Sequence, residues 1–359
     1  MVLDSNMGSK MSSSAVFNTD RMYAVSNISN ISNVANISNT RVLTGDRPTG
    51  KLHLGHYAGS LSKRLELQQV HEVFIMIADM QAMSCYFNNP KNLKNYKLDL
   101  MRDYYSVGLG KSIVFMQSDI SAISVLGNIF MNLISLNKVM HNPTLKTEIA
   151  EKKEVSLGFI AHPVLQAADI LSIKANVVPV GEDQKPLIEL ANDIIKKFNS
   201  LYQKNYFNEI QALVPKVGGR LSGIYGKQKA SKSLNNAIYL SDNMDDVRKK
   251  VFSMYTDANH ILKTDPGQVE GNVVFEYLTI FGEDQLKVEA MKKHYAKGGL
   301  GDMEVKRYLF SELEKFLIPI QNRRDKLVDN DLLNDLYKNN KYVNTLANEV
   351  LQEVLKLVF

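Results

Sequence analysis

Two short stretches of the 359-residue chain carry residue types suited to phosphate chemistry. The first is Thr44-Gly45-Asp46-Arg47-Pro48-Thr49-Gly50-Lys51-Leu52-His53-Leu54-Gly55-His56, which follows an apolar pair and opens a helical pattern. Its glycines let backbone amides approach a phosphate closely, and a helix start favours negative charge. His53 and His56 stand three residues apart, so both imidazoles can face one ligand, while the intervening Gly55 leaves room for a flat base. Alone, the pattern also suits an ordinary strand-to-helix turn with surface histidines. The second stretch, Lys229-Ala230-Ser231-Lys232-Ser233, follows Gly223, Gly226 and Lys227. Two lysines among hydroxyls suit a triphosphate, because a mobile cation follows charge as it develops on a leaving pyrophosphate. Alone, it also fits a solvated loop.

The elements that must position these residues follow from apolar patterning. Val42 and Leu43 lead into the first stretch, and continuous apolar runs at 73–77, 113–116 and 177–180 read as further buried parallel strands. Helical stretches are expected at 55–69, 93–107, 120–140 and 157–173, the last ahead of the fourth strand. This alternation predicts an α/β fold, a Rossmann-like doubly wound parallel sheet, with ligands at the carboxyl ends of the strands. Beyond the lysine motif the chain reads as helices at 245–255, 273–281, 283–294 and 305–316. Val343, Leu346, Ala347, Val350, Leu351, Val354 and Val358 then share one face of a last amphipathic helix. That face is expected to pack on the protein's own core, with a dimer seam as the alternative. The expected organisation is a Ser/Asn-rich disordered tail at 1–40, a catalytic domain at 41–234 and a helical domain at 235–359, and the length agrees with about 150 residues per domain.

Composition narrows the function classes. Lys and Arg exceed Asp and Glu by 43 to 38, a net charge of +5 that permits a polyanionic partner without demanding one. A single cysteine, Cys85, excludes an internal disulfide framework and any multi-cysteine metal site, and the seven histidines show no metal-ligand spacing, so no protein-held metal is expected. No apolar run approaches the length of a membrane span, and 1–40 lack the layout of a secretory signal; a soluble, cytoplasmic protein without membrane contact is expected. Gly108-Leu109-Gly110-Lys111-Ser112 has the tail of a phosphate loop, but the required first glycine falls on Tyr105.

Taken in order on a doubly wound domain, the histidine and lysine motifs resemble the His-Ile-Gly-His and Lys-Met-Ser-Lys-Ser signatures of class I aminoacyl-tRNA synthetases, with Ala230 in place of Met. The resemblance runs from about residue 41 to the end and narrows to the tryptophanyl branch of that family. Pro163-Val164-Leu165-Gln166-Ala167-Ala168-Asp169-Ile170-Leu171 and Val178-Pro179-Val180-Gly181-Glu182-Asp183-Gln184 look like its indole pocket and part of its ATP site. Tyrosyl members usually show Ser-Asp-Gln where Glu182-Asp183-Gln184 stands. Ala78-Asp79-Met80-Gln81 and Lys297-Gly298-Gly299-Leu300-Gly301 match as well.

The resemblance implies that His53, His56, Lys229 and Lys232 act in catalysis. It places ATP against Arg47, Pro48, Thr49, Gly55, His56, Gly181, Glu182, Asp183, Leu221, Lys229, Ala230, Ser231, Lys232 and Ser233. Tryptophan is expected against Leu43, Gly45, Gln81, His162, Gln166, Asp169, Ile170, Val178, Val180 and Gln184. Gln81, His162 and Gln166 differ from the side chains common there. Asp169, inside an otherwise apolar helix, needs a donor, and an indole N–H is one. The implied reaction joins L-tryptophan to tRNA(Trp) with ATP and Mg²⁺, in a homodimer. Arg248-Lys249-Lys250 and Arg323-Arg324 are candidate phosphate contacts. A tyrosyl-specific member, a catalytically silent tRNA-binding or regulatory paralogue, and a nucleotidylyltransferase of coenzyme synthesis are the alternatives.

Overall fold

A computed structural model describes residues 40–86, 93–152, 154–214, 221–226 and 228–359. The tail expected at 1–40 therefore lies, Thr40 apart, outside the described residues, as does Lys227. Five strands, β1 (Arg41–Asp46), β2 (Glu72–Ile77), β3 (Ile113–Met116), β4 (Val177–Pro179) and β5 (Gln211–Leu213), form one sheet in the order β3-β2-β1-β4-β5. Every pairing is parallel. The order reverses between β1 and β4, which makes the carboxyl end of β1 the crevice where such sheets bind ligands. Of these strands, β5 is not foreshadowed by the sequence.

Side chains alternate across the sheet. Val42, Val73, Ile75, Ile77, Val114 and Val177 enter one buried cluster, and Leu43, Phe74, Met76, Phe115 and Val178 enter the other. Both faces are covered, so the strands read as continuous apolar runs.

After β1 the chain turns into α1 (Leu54–His56), one π-helical turn (Tyr57–Leu61) and α2 (Ser62–Leu67). Further on come α3 (Asp79–Tyr86), α4 (Leu93–Val107), α5 (Ser121–Met131), α6 (Leu136–Met140), α7 (Pro143–Ala150), α8 (Leu157–Ser172) and α9 (Lys185–Leu201). The helix expected at 120–140 is broken between α5 and α6, where Ser135 accepts from the Lys138 amide and starts a new helix. Asn142 and Pro143 start α7 in the same way, and Ser156 caps α8.

The remaining helices are α10 (Met244–Phe252), α11 (Val273–Phe281), α12 (Gln285–Lys297), α13 (Asp302–Arg324) and α14 (Asp329–Val358). Helices α11 and α13 share the cluster that holds Val42 and Val73. Helix α14 returns to the opposite face, where Val343, Ala347, Val350, Leu351 and Val354 are buried beside α5 and α8 residues, as the intramolecular reading of that face expects. Asn340 Oδ1 accepts from the Met116 amide at 2.9 Å and Asn339 Nδ2 donates to the Val114 carbonyl at 3.0 Å. Both pairs lie on β3, which has a strand on one side only. The outer backbone of an edge strand is thus satisfied by side chains of the last helix.

Candidate active site

The histidine turn is built from its own backbone. His53 is the N-cap of α1: its Nδ1 accepts from the Gly55 amide at 3.1 Å, and the His53 amide donates to His56 Nδ1 at 3.1 Å. Both Nδ1 atoms act as acceptors, so in the neutral rings the proton sits on Nε2, and each imidazole offers one N–H outward. The ring centroids are 3.8 Å apart. Burial, then the neighbouring His56 and the Lys232 and Lys229 charges, take His53 down to about 3. Burial takes His56 down to about 4, against the pull of Asp46. Both rings are neutral at physiological pH. A Cβ on Gly55 would come within 2.9 Å of the His53 ring and 3.6 Å of the Ala230 Cβ, so the glycine permits the close approach of ring and lysine loop.

Beneath this turn, Asp46 at the end of β1 is held by Arg64 at 2.7 Å and by the Tyr104 hydroxyl at 2.6 Å. Burial would raise this carboxyl, but Arg64 and the hydrogen bonds overcome it and bring it to about 2. A fixed anion therefore lies below His56.

The lysine loop is tied to the turn by backbone. The Leu54 amide donates to the Ile238 carbonyl at 2.9 Å and the Leu240 amide to the Leu52 carbonyl at 3.0 Å, around a His53–Tyr239 bridge. Lys232 Nζ reaches back to the Gly50 carbonyl at 2.7 Å and Thr49 Oγ1 at 3.2 Å, and burial lowers its pKa. Lys229 is exposed, yet its charge is felt by both imidazoles. Ser231 and Ser233 share a hydrogen bond at 2.8 Å, and Ala230 is buried over Gly55. The Leu221 side chain lies in the core, with its carbonyl accepting from the Ala230 amide.

A second polar cluster occupies the other side of β1. Asp169 on α8 is 3% exposed, and both its oxygens accept from Gln117 Nε2, at 2.9 and 3.0 Å. Burial outweighs the Gln117 hydrogen bond and pushes this carboxyl up to about 7. Gln117 Oε1 also accepts from the Gln81 amide, and Gln81 Nε2 lies 2.6 Å from His162 Nε2. Burial, then Arg47, lowers His162 to about 4. Gln166 stands between His162 and Asp169 on the same helix face, and its buried Oε1 has no hydrogen-bond partner among the described residues.

Arg47 links the two clusters electrostatically, because its charge acts on both His162 and Lys232. Pro48 is buried beside it. Gly45 allows β1 and β2 to close up: a Cβ there would sit 2.5 Å from the Met76 carbonyl oxygen. Gly181, Glu182 and Asp183 are exposed just beyond β4, where Glu182 pairs with Lys185 and the Asp183 carboxylate accepts from Gln184 Nε2 at 3.1 Å. Val180 is half-buried near that end, whereas Leu43, Ile170 and Val178 are packed into the core.

Sequence reasoning missed Gln117 and Asn236. Asn236, 3% exposed, accepts from the Ser231 amide at 2.8 Å and donates to the Lys229 carbonyl at 3.2 Å, and so shapes the lysine loop. An amide among polar neighbours carries no periodic signal, so neither was visible. Arg324, offered as a phosphate contact, is instead turned inward against Asp103 and Asp99, and Arg323 donates to the Ser106 carbonyl. Lys250 is likewise paired with Asp242 at 2.6 Å.

Neutral imidazoles, two lysines and a glycine turn meet at the switch point of a parallel sheet, the place where such sheets bind ligands. Residues 36–318 match the family described as tRNA synthetases class I (W and Y). The chain belongs to that family. It is 48% identical over 327 residues to the tryptophan–tRNA ligase of Streptococcus mutans, covering 87% of this chain and 96% of that protein. It is 50% identical over 294 residues to the tryptophan–tRNA ligase of Streptococcus agalactiae, covering 79% and 86%. Among solved structures, tryptophanyl-tRNA synthetase from Campylobacter jejuni, complexed with ADP and tryptophan, superposes with a TM-score of 0.79 at 28% identity, covering 89% of this chain and 99% of that one.

Proposed function

We propose that the chain is a tryptophan–tRNA ligase that activates L-tryptophan with ATP and transfers it to tRNA(Trp). The observation that carries this reading is the joining of the His53–His56 turn to the Lys229–Ser233 loop through the His53–Tyr239 bridge and the Lys232 contacts. In the first step the tryptophan carboxylate attacks the α-phosphate of ATP. The new P–O bond gives tryptophanyl-adenylate, and the bond to the β-phosphate breaks to release pyrophosphate. An ionised carboxylate needs no general base, so catalysis rests on placement and charge stabilisation. His53 and His56 donate Nε2–H to phosphate oxygens, while Lys232 and Lys229 take up the charge that moves to the leaving group. Arg47, Pro48, Thr49, Gly55 and the exposed Gly181-Glu182-Asp183 segment complete the nucleotide site.

Asp169, fixed by Gln117, accepts the indole N–H, and Gln81, His162, Gln166 and Gln184 serve the rest of the amino acid. A phenylalanine lacks the donor, and the buried acceptor then rejects it. In the second step a ribose hydroxyl of the terminal adenosine attacks the mixed anhydride and AMP leaves. Mg²⁺ enters on the nucleotide; among the described residues no group of three or more His, Cys, Asp or Glu can hold a metal ion. The protein works as a homodimer in the cytoplasm, and no helix among the described residues is long and apolar enough to cross a membrane.

The test is amino-acid-dependent exchange of labelled pyrophosphate into ATP, with tryptophan, tyrosine and phenylalanine in parallel and without tRNA. Exchange with tryptophan alone is expected. Exchange with tyrosine overturns the substrate, and no exchange with any of the three overturns the catalytic reading in favour of a silent paralogue.

A further inference from the structure

Helix α4 carries a carboxylate that no step of the reaction uses. Asp103 is fully buried. Its Oδ2 accepts from the Leu52 amide at 2.8 Å, and its Oδ1 is bound by the Arg324 guanidinium, which also reaches Asp99 at 3.3 Å. Leu52 immediately precedes His53, and its carbonyl accepts from Leu240 just beyond the lysine loop. Leu52, the residue before the first imidazole, is therefore gripped on both sides, by Asp103 at its amide and by Leu240 at its carbonyl. Arg324 is the last residue of α13. Asp103 also lies close enough to Lys232 for the two charges to act on each other.

Burying an aspartate with an arginine is a costly way to hold a fold, since apolar side chains of similar volume often do so as well or better. A carboxylate does what they cannot: it fixes one backbone N–H in space and ties it to a distant helix. We propose that Asp103 and Arg324 are positioning residues that set the His53 imidazole through the Leu52 peptide and couple its placement to the end of α13. Neither touches substrate. Tension or release at α13 reaches the nucleotide site through two hydrogen-bonded groups.

The inference rests on the reading of tryptophan activation, and its test separates the two. Asp103→Asn keeps an acceptor for the Leu52 amide but removes the charge that holds Arg324, and Arg324→Lys keeps the charge but loses the fork. Each full-length variant is assayed for pyrophosphate exchange and for the ¹⁵N resonances of the histidine rings. In Asp103→Asn, kcat is expected to fall at least about tenfold, as small displacements of a catalytic group do, with the KM for tryptophan within about twofold. The His53 ring resonances are expected to move, and Arg324→Lys is expected to lie between Asp103→Asn and the unaltered protein. If both variants keep kcat within about twofold and the His53 resonances stay in place, the inference is overturned, however far the melting temperature falls. If Asp103→Asn does not fold, Arg324→Lys carries the same readouts and decides alone. An unaltered protein that fails to exchange overturns the tryptophan reading, while the His53 resonances still decide the positioning role.

Discussion

Asp169→Asn is expected to make the unliganded protein more stable and the enzyme worse. The carboxyl ordinarily titrates at 3.8 and is pushed up to about 7 by burial. Folded protein therefore holds a proton that the unfolded chain has lost over that interval, and stability falls as pH rises through it. The full displacement corresponds to about 4 kcal/mol against the folded state above neutrality. Asparagine removes this penalty and keeps an acceptor for Gln117, but its own N–H lacks a partner, which costs about 1–2 kcal/mol. The variant should thus be about 2–3 kcal/mol more stable at pH 8, and its advantage should shrink by about 3 kcal/mol on going to pH 5. Urea unfolding of both proteins at the two pH values measures it directly. In the same variant kcat/KM for tryptophan should drop by about 10- to 100-fold, the worth of a hydrogen bond to a charged group. A stability difference that is the same at pH 5 and pH 8 would refute the buried-charge argument, and unchanged tryptophan activation would remove Asp169 from the indole role.

Gly55→Ala should lower kcat by about 10- to 100-fold through displacement of the His53 ring, with stability changed by no more than about 1 kcal/mol because alanine favours the helix; pyrophosphate exchange beside a melting curve checks both. His53 and His56, at about 3 and 4, carry no charge from pH 5.5 to 8, so exchange activity should show no limb from either ring there, and ¹⁵N spectra should keep the proton on Nε2. Because both values lie below the ordinary 6.5, their contribution to stability is whole above 6.5 and is lost as pH falls toward 4. Asn236→Ala should raise the KM for ATP about tenfold while the KM for tryptophan stays within about twofold, at a stability cost of about 1–3 kcal/mol for the backbone groups left unpaired.

The strands that carry the site were legible because both faces of the sheet are covered, which turns 73–77 and 113–116 into unbroken apolar runs. Strand β5 was not: its three residues, Gln211-Ala212-Leu213, are exposed or half-exposed at a sheet edge, too short a run to stand out as a strand. Helix α13 runs to Arg324, past the 316 that periodicity suggested, because Pro319 sits inside it and packing on the core overrides the break. In the site, the two motifs were visible as residue types at fixed spacing. Their supports were not, because each is a single polar residue without periodic signal, and most come from far along the chain. Gln117 meets Asp169 across 52 positions and Arg324 meets Asp103 across 221. Arg324 shows the limit most clearly, since a basic pair on a helix has the same sequence whether it faces phosphate or a buried carboxylate.

The asparagines of α14 that close the open side of β3 have a bearing on how the chain is made. The Met116 amide waits for Asn340, 224 positions later. At synthesis rates of about 5–20 residues per second, that gap corresponds to roughly 10–45 s. Throughout that interval a nascent sheet presents unpaired amides and carbonyls, and the face that α14 will cover remains bare. Synthesis halted before α14 would leave a strand edge ready to recruit any extended segment within reach. Helix α14 thus acts as a late seal on the sheet, and β3 gains this protection from misassembly only once residues 339 and 340 have been made.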